Sequence, residues 1–243
     1  MTEFVCRLAD IIIGVSANFP ETKLFCKDYL TSDAPDFTVE VTAEDMERER
    51  EFARQTSIAE FGRVMAYSDT YLETLALYRK IAEKMINYRV LIFHGSAIAV
   101  DDVGYIFTAK SGTGKSTHTR LWRKQFGDRA YMVNDDKPLI KITDDGVFVC
   151  GTPWDGKHHI SKNVVVPLNA ICILNRGSEN TIEPVSPKDA FSYLFQQIYM
   201  PRDKDFMLKA LEIVKTLSAQ INFYRLFCNM EQEAAIISYE GMQ

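Results

Sequence analysis

The segment Ala109-Lys110-Ser111-Gly112-Thr113-Gly114-Lys115-Ser116 constrains this chain more than any other. It fits a phosphate-loop pattern with alanine at the first glycine position. It follows the apolar run Tyr105–Thr108, which reads as a strand, and opens a helical stretch from Lys115 to about Gln125. A strand turning sharply into a helix is a unit of α/β folds. Each residue type has a task. Gly112 and Gly114 let backbone N–H groups turn inward around phosphate oxygens, and the helix N-terminus adds partial positive charge. Lys115 reaches the β and γ phosphates, and the Ser116 hydroxyl is placed to ligate Mg²⁺. Alanine at position 109 is tolerable where the backbone avoids positive φ.

The rest of the chain supports one large core, or a core with a smaller appended lobe, since 243 residues with 47% hydrophobic side chains bury enough surface for either. A net charge of −5 lacks the basic surplus that neutralises a phosphate backbone, so nucleic acid is not an expected partner. The five cysteines are scattered without a Cys-x-x-Cys pair and read as reduced, mostly buried thiols. The N-terminus lacks a signal pattern, and Asp101 and Asp102 interrupt the most apolar stretch, Val90 to Ala109. The expectation is a cytoplasmic protein with no membrane partner.

Residues 1–88 read as an N-terminal α+β lobe and residues 89–243 as the phosphate-loop domain. Phe4–Ser16 and the alternating Phe37–Thr42 suggest short strands, Thr42 caps one helix, and a second runs from about Asp69 to Tyr88. Short apolar runs then follow at Val90–Phe93, Ala97–Val100, Tyr105–Thr108, Tyr131–Val133, Leu139–Ile142 and Val147–Cys150. With one helix among them, they predict a mixed sheet instead of a regular βαβ alternation. Two further strands are expected at Val164–Val166 and Ala170–Leu174. Beyond them come a helix capped by Ser186, another from about Asp203 to Ala219, a strand at Phe223–Cys228 and a terminal helix from Glu231.

Asn134-Asp135-Asp136 follows the first strand after the loop's helix, where such folds place a metal-facing carboxylate. Two carboxylates there permit a division of labour: one holds Mg²⁺, the other takes the proton of an attacking hydroxyl. His94 ends an earlier strand; taken by itself it reads more readily as a hydrogen-bonded structural residue than as a catalytic one. Adjacent His158 and His159 would face opposite ways on a strand, so they are not read as a metal pair. Arg176 and Arg202 are candidates for contacting phosphate or base.

Taken together, His94-Gly95, Gly104, Thr108 to Ser116 and Asp135-Asp136 resemble the HPr serine kinase/phosphorylase family, over about Arg89 to Ile142. That family shares its nucleotide fold with phosphoenolpyruvate carboxykinase. The resemblance implies an α/β fold with a mixed β-sheet phosphate-loop core, a small N-terminal β-rich lobe and C-terminal helices. It also implies ATP with Mg²⁺, bound by Ser111, Gly112, Thr113, Gly114, Lys115, Ser116 and Thr117, with metal at Ser116 and Asp136. Asp135 would act as acid/base, with His94 and Lys115 close to the transferred phosphate. The histidine precedes the lysine by the interval the family shows.

The family's downstream Glu-x-Arg-Gly signature is missing, so HPr as acceptor has no support, and the chain is too short for a carboxykinase. Gly151 to Lys157 occupies the place of a capture element, with Lys157 either supplying positive charge or standing on a surface turn. Two functions follow. One is an ATP·Mg²⁺ phosphotransferase acting on a hydroxyl, either a serine of a protein or peptide or a small molecule. The other is a nucleotide-gated accessory module with little or no transfer. No Asn-Lys-x-Asp motif supports a GTPase, and no His-Arg-Asp with Asp-Phe-Gly supports a eukaryotic-type protein kinase. The choice of ATP or GTP, a reverse reaction and a homo-oligomer are all left open.

Overall fold

The computed structural model describes residues 1–201 and 203–243, with Glu60 and Phe61 described by backbone alone. Arg202, a candidate above, lies outside the described residues. The chain divides into two compact units, Met1–Lys84 and Met85–Gln243.

In the first unit, strands β1 (Thr2–Leu8) and β2 (Ile11–Ala17) form an antiparallel hairpin, and β3 (Phe37–Glu40) pairs parallel with β2. The hairpin turns at Ala9 and Asp10, whose φ values of 51° and 60° suit a tight turn between twisted strands. Helix α1 (Pro20–Phe25), not expected from the sequence, is a short turn opened by its proline. Helix α2 (Ala43–Phe61) begins with the full Thr42–Asp45 capping box, and α3 (Asp69–Met85) follows. Glu73 on α3 is fully buried, and its carboxylate accepts from the Asn18 and Phe19 backbone N–H groups and from Thr22 Oγ1. These donors offset the cost of burying the charge.

The second unit holds β4 (Val90–Ile92), β5 (Ser96–Val100), β6 (Val103–Thr108), α4 (Lys115–Phe126), β7 (Ala130–Asn134), β8 (Leu139–Thr143) and β9 (Gly146–Cys150). It continues with β10 (Val165–Arg176), β11 (Thr181–Val185), α5 (Pro187–Gln197), α6 (Lys204–Gln220), β12 (Asn222–Cys228) and α7 (Glu233–Gly241). Among the described residues nine strands form one mixed sheet, with the path β4-β8-β9-β10-β6-β5-β7 and β12 branching from β10 to β11. Side chains alternate between its faces. Ala97, Ala99 and Ile106 join a core with Ala190, Leu194, Val214 and Leu217 of α5 and α6. Ile98, Val100, Tyr105 and Phe107 pack instead with Trp122 of α4 and Ala235 of α7. Helices therefore cover both faces, which is why β5 is buried at every position and its Ala97–Val100 reads as a continuous apolar run.

The two strands expected at Val164–Val166 and Ala170–Leu174 are one, β10. Residues Val165 to Pro167 pair antiparallel with β9, after which the strand runs parallel to β6 and β12. Proline lacks an N–H donor and sits where the ladder changes partner, so the break in the apolar pattern is not a break in the strand. Strand β11 was also unexpected. It pairs with β12 alone, an edge position that tolerates Pro184.

Chain direction decides what this sheet brings together. β5 pairs antiparallel with both β6 and β7, so β6 and β7 run the same way, as do β10 and β12 beside β6. The C-terminal ends of β6, β7, β10 and β12 and the start of β5 thus meet at one edge, the place where open α/β sheets bind ligands.

Gly151, just after β9, is fixed by close approach: a Cβ there would lie 1.8 Å from the Lys162 carbonyl oxygen. Gly151→Ala is expected to destabilise the second unit by on the order of 3 kcal/mol. Urea denaturation checks this, and an unchanged midpoint would contradict it.

Candidate functional site

The loop from β6 to α4 adopts the backbone its glycines permit, with φ of 76° at Gly112 and 125° at Gly114. A side chain at either position would be strained even though open space surrounds Gly112. Ala109 is absent from the positive-φ residues and is buried, as a methyl group in that position requires. Lys115 folds over the loop, its ammonium donating to the Ala109 carbonyl at 3.3 Å. Arg176, from the end of β10, donates to the Gly112 carbonyl at 2.7 Å and so braces the loop from the neighbouring strand.

The acid pair sits on a turn built by Asn134, which is fully buried. Asn134 Oδ1 accepts from the backbone N–H groups of Asp136 at 2.9 Å and Lys137 at 2.6 Å. Its amide donates to the Thr152 carbonyl and hydroxyl, while the Thr152 hydroxyl donates to the Lys137 carbonyl. Every polar atom of this buried side chain is used, which fixes the direction of both carboxylates. The Gly151–Gly156 segment backs the same turn: a Cβ on Gly156 would lie 3.4 Å from Asp136 Cβ. Lys157 is exposed and lines neither cavity described below, so the charge beside the pair comes from Lys137, whose ammonium is 3.0 Å from Asp136.

The two carboxylates face different surroundings. Asp135 is buried, and its Oδ1 accepts from Ser96 Oγ at 2.5 Å, with Ser96 also 3.3 Å from Thr119 on α4. Asp136 is partly exposed and lies 3.5 Å from His94 Nε2. His94 is held by its backbone, whose N–H donates to Gln197 and whose carbonyl accepts from Thr108. The next residue, Gly95, donates its N–H to the Asp136 carbonyl at 3.0 Å. Burial and then the nearby Lys115 charge push the His94 pKa down to about 4 against the opposing pull of Asp136, so the ring is neutral at pH 7. Burial also lowers the Lys115 pKa, while Asp136 and Asp135 hold it up.

Two cavities flank the loop. One, of about 500 Å³, is lined by Gly114, Thr117, His118, Leu174, Arg176 and Met230. His118 Nε2 accepts from Trp122 Nε1 at 3.2 Å. Trp122 Nε1 also donates to Ser238 Oγ at 2.8 Å, and that hydroxyl lies 3.0 Å from His118 Nε2, which leaves Nδ1 as a buried polar atom with no partner among the described residues beside this cavity. The second cavity, of about 350 Å³, is lined by Ser116, Thr117, Thr119, Arg120, Arg123, Asp135, His158 and Ile160. His159 instead pairs with buried Asp155 at 2.9 Å, so the two adjacent histidines do separate work. Among the described residues no three His, Cys, Asp or Glu side chains gather into a metal cage. A divalent ion at Ser116 would take much of its shell from phosphate and water, as Mg²⁺ commonly does.

The sequence-derived residues Ser111 to Thr117, His94, Asp135 and Asp136 therefore lie at one sheet edge. Ser96, Thr119, Lys137 and the two arginines of α4 were missed, although Ser116, Arg120 and Arg123 at i, i+4 and i+7 mark one helix face. All five cysteines are free thiols, four of them buried. Among the described residues no helix is long and apolar enough to cross a membrane.

No protein-family model matches the chain. No curated protein matches it. Among solved structures, the HPr(Ser) kinase/phosphatase from Coxiella burnetii is similar over 62% of this chain and 95% of that one, at 10% identity and a TM-score of 0.36.

Burial holds His118 neutral, with its pKa pushed down from 6.5 to about 4. The unfolded chain takes up this proton below about pH 6.5 while the folded protein resists it, so stability is lost as pH falls toward 4. Between pH 7.5 and 4.5, His118→Gln is expected to lose about 2–3 kcal/mol less unfolding free energy than the parent. Equal losses in the two proteins would contradict this.

Proposed function

We propose that this chain is a Mg²⁺-dependent phosphotransferase that moves the terminal phosphate of a nucleoside triphosphate, ATP in the simplest case, to a hydroxyl group. The observation that carries the reading is the convergence of the loop, Lys115 and Ser116 with the rigidly held Asp135-Asp136 turn at one sheet edge. A module that only binds nucleotide needs the loop but not a buried carboxylate beside it.

In this reading the loop N–H groups and Lys115 hold the β and γ phosphates, and Ser116 with Asp136 would hold Mg²⁺, which would offset charge on the phosphates. The 500 Å³ cavity receives the nucleoside, with His118 Nδ1 and Arg176 as polar partners. The acceptor oxygen attacks the γ phosphorus, the bond to the β–γ bridging oxygen breaks, and the acceptor proton passes to Asp135. Asp135 has an oxygen for this, because the Ser96 hydrogen bond engages Oδ1 and leaves Oδ2 outside it. Neutral His94 stands as a hydrogen-bonding group beside the transferred phosphate. Lys137 and Lys115 supply positive charge where charge accumulates in transfer.

ADP release with ATP, Mg²⁺ and a panel of hydroxyl compounds tests the reading. Lys115→Ala is expected to weaken nucleotide binding by at least about tenfold. Asp135→Asn should keep nucleotide binding while lowering acceptor-dependent turnover by about 100-fold or more. Unchanged turnover in Asp135→Asn would remove it as base, and tight ATP binding without turnover for any acceptor would favour an accessory module.

A further inference from the structure

The 350 Å³ cavity is the place where the proposed base, Asp135, and the proposed metal ligand, Ser116, share one lining. An acceptor hydroxyl must come to these groups, so the rest of that lining describes the acceptor. Three features stand out. Arg120 and Arg123 follow Ser116 along one face of α4, so the helix directs two guanidinium groups along the cavity wall. Neither guanidinium group takes part in an ion pair or hydrogen bond among the described residues, although Asp135 lines the same space. His158 adds a further polar group to the lining, while Ile160 gives it an apolar surface.

Both guanidinium groups are exposed and line the same cavity as Asp135, so their charge is open to an acceptor that reaches that carboxylate. A second anionic group on the acceptor gives them their partner, and arginine's planar fork matches carboxylate and phosphate oxygens. A cavity of this size takes a small molecule. Stabilisation of the α4 C-terminal dipole accounts for Arg123 in the last turn but not for Arg120 lining the same space.

We propose that the acceptor is a small hydroxyl compound carrying its own carboxylate or phosphate, bound by Arg120 and Arg123 with its hydroxyl presented to Asp135. This rests on the phosphotransferase reading, and the test separates the two. The protein is saturated with Mg²⁺ and a non-hydrolysable ATP analogue, which fills the phosphate loop, and is titrated calorimetrically with inorganic phosphate and, separately, with acetate. In parallel, ADP release is measured with glycerol, glycerate, glycerol 3-phosphate and a capped serine peptide as acceptors.

At least one anion is expected to bind the nucleotide-loaded protein, and the R120Q/R123Q double variant to weaken it by about tenfold or more while leaving nucleotide affinity unchanged. Phosphate binding favours a phosphorylated acceptor, and acetate binding a hydroxy acid. The same variant should raise the KM for glycerate or glycerol 3-phosphate about tenfold with little change in kcat. Nucleotide binding without anion binding, or equal stimulation by glycerol or the peptide that ignores the double variant, overturns the anionic acceptor and leaves the phosphotransferase standing. Failure of the nucleotide itself to bind brings down both.

Discussion

Everything at the candidate site depends on the direction of β5. This strand lies between β6, which leads into the phosphate loop, and β7, which leads into the acid pair, and it is antiparallel to both. Were it parallel to either, the loop and the carboxylates would leave the sheet at opposite ends, a strand length apart. The antiparallel arrangement also puts the start of β5 at the working edge, which is how His94 and Ser96 come to stand beside residues far along the chain. Its cost is that β5 is buried on both faces, a demand met by the apolar run Ala97–Val100 and, at Ser96, by the hydrogen bond to Asp135.

On this frame the electrostatics follow from a dense but balanced set of groups. Lys115 and Lys137 stand against Asp135 and Asp136, and neutral His94 adds polarity without adding charge. Such a set holds its geometry only if the backbone beneath it is fixed, and Asn134 supplies that through its bonds to the turn and to Thr152. The Gly151–Gly156 segment is best understood as the support of the acid pair. Its buried Thr152 bonds Asn134 and the Lys137 carbonyl, whereas the exposed Lys157 that follows is not part of the cavity lining.

Much of this was legible in the sequence, for definite physical reasons. The phosphate loop is local: its glycines, lysine and serine are contiguous, and positive φ at Gly112 and Gly114 is a demand that sequence expresses directly. The acid pair was legible because it ends an apolar run. What escaped notice depends on pairing across the sheet. Ser96 and Thr119 look like ordinary polar residues until the fold brings them to Asp135, and Lys137 until Asn134 turns the chain. The single course of β10 was hidden by Pro167, which marks a change of partner and not a loop. Arg120 and Arg123 did carry a signal, their spacing from Ser116, but it has meaning only once a cavity lies along that face of α4.

The most direct test of this account is the crystal structure of the protein with Mg²⁺ and a non-hydrolysable ATP analogue. The account predicts the β and γ phosphates in the Ala109–Ser116 loop, the metal on Ser116, the nucleoside in the cavity beside His118 and Arg176, and the γ phosphate facing Asp135. A nucleotide bound elsewhere, or a γ phosphate turned away from the acid pair, would contradict it.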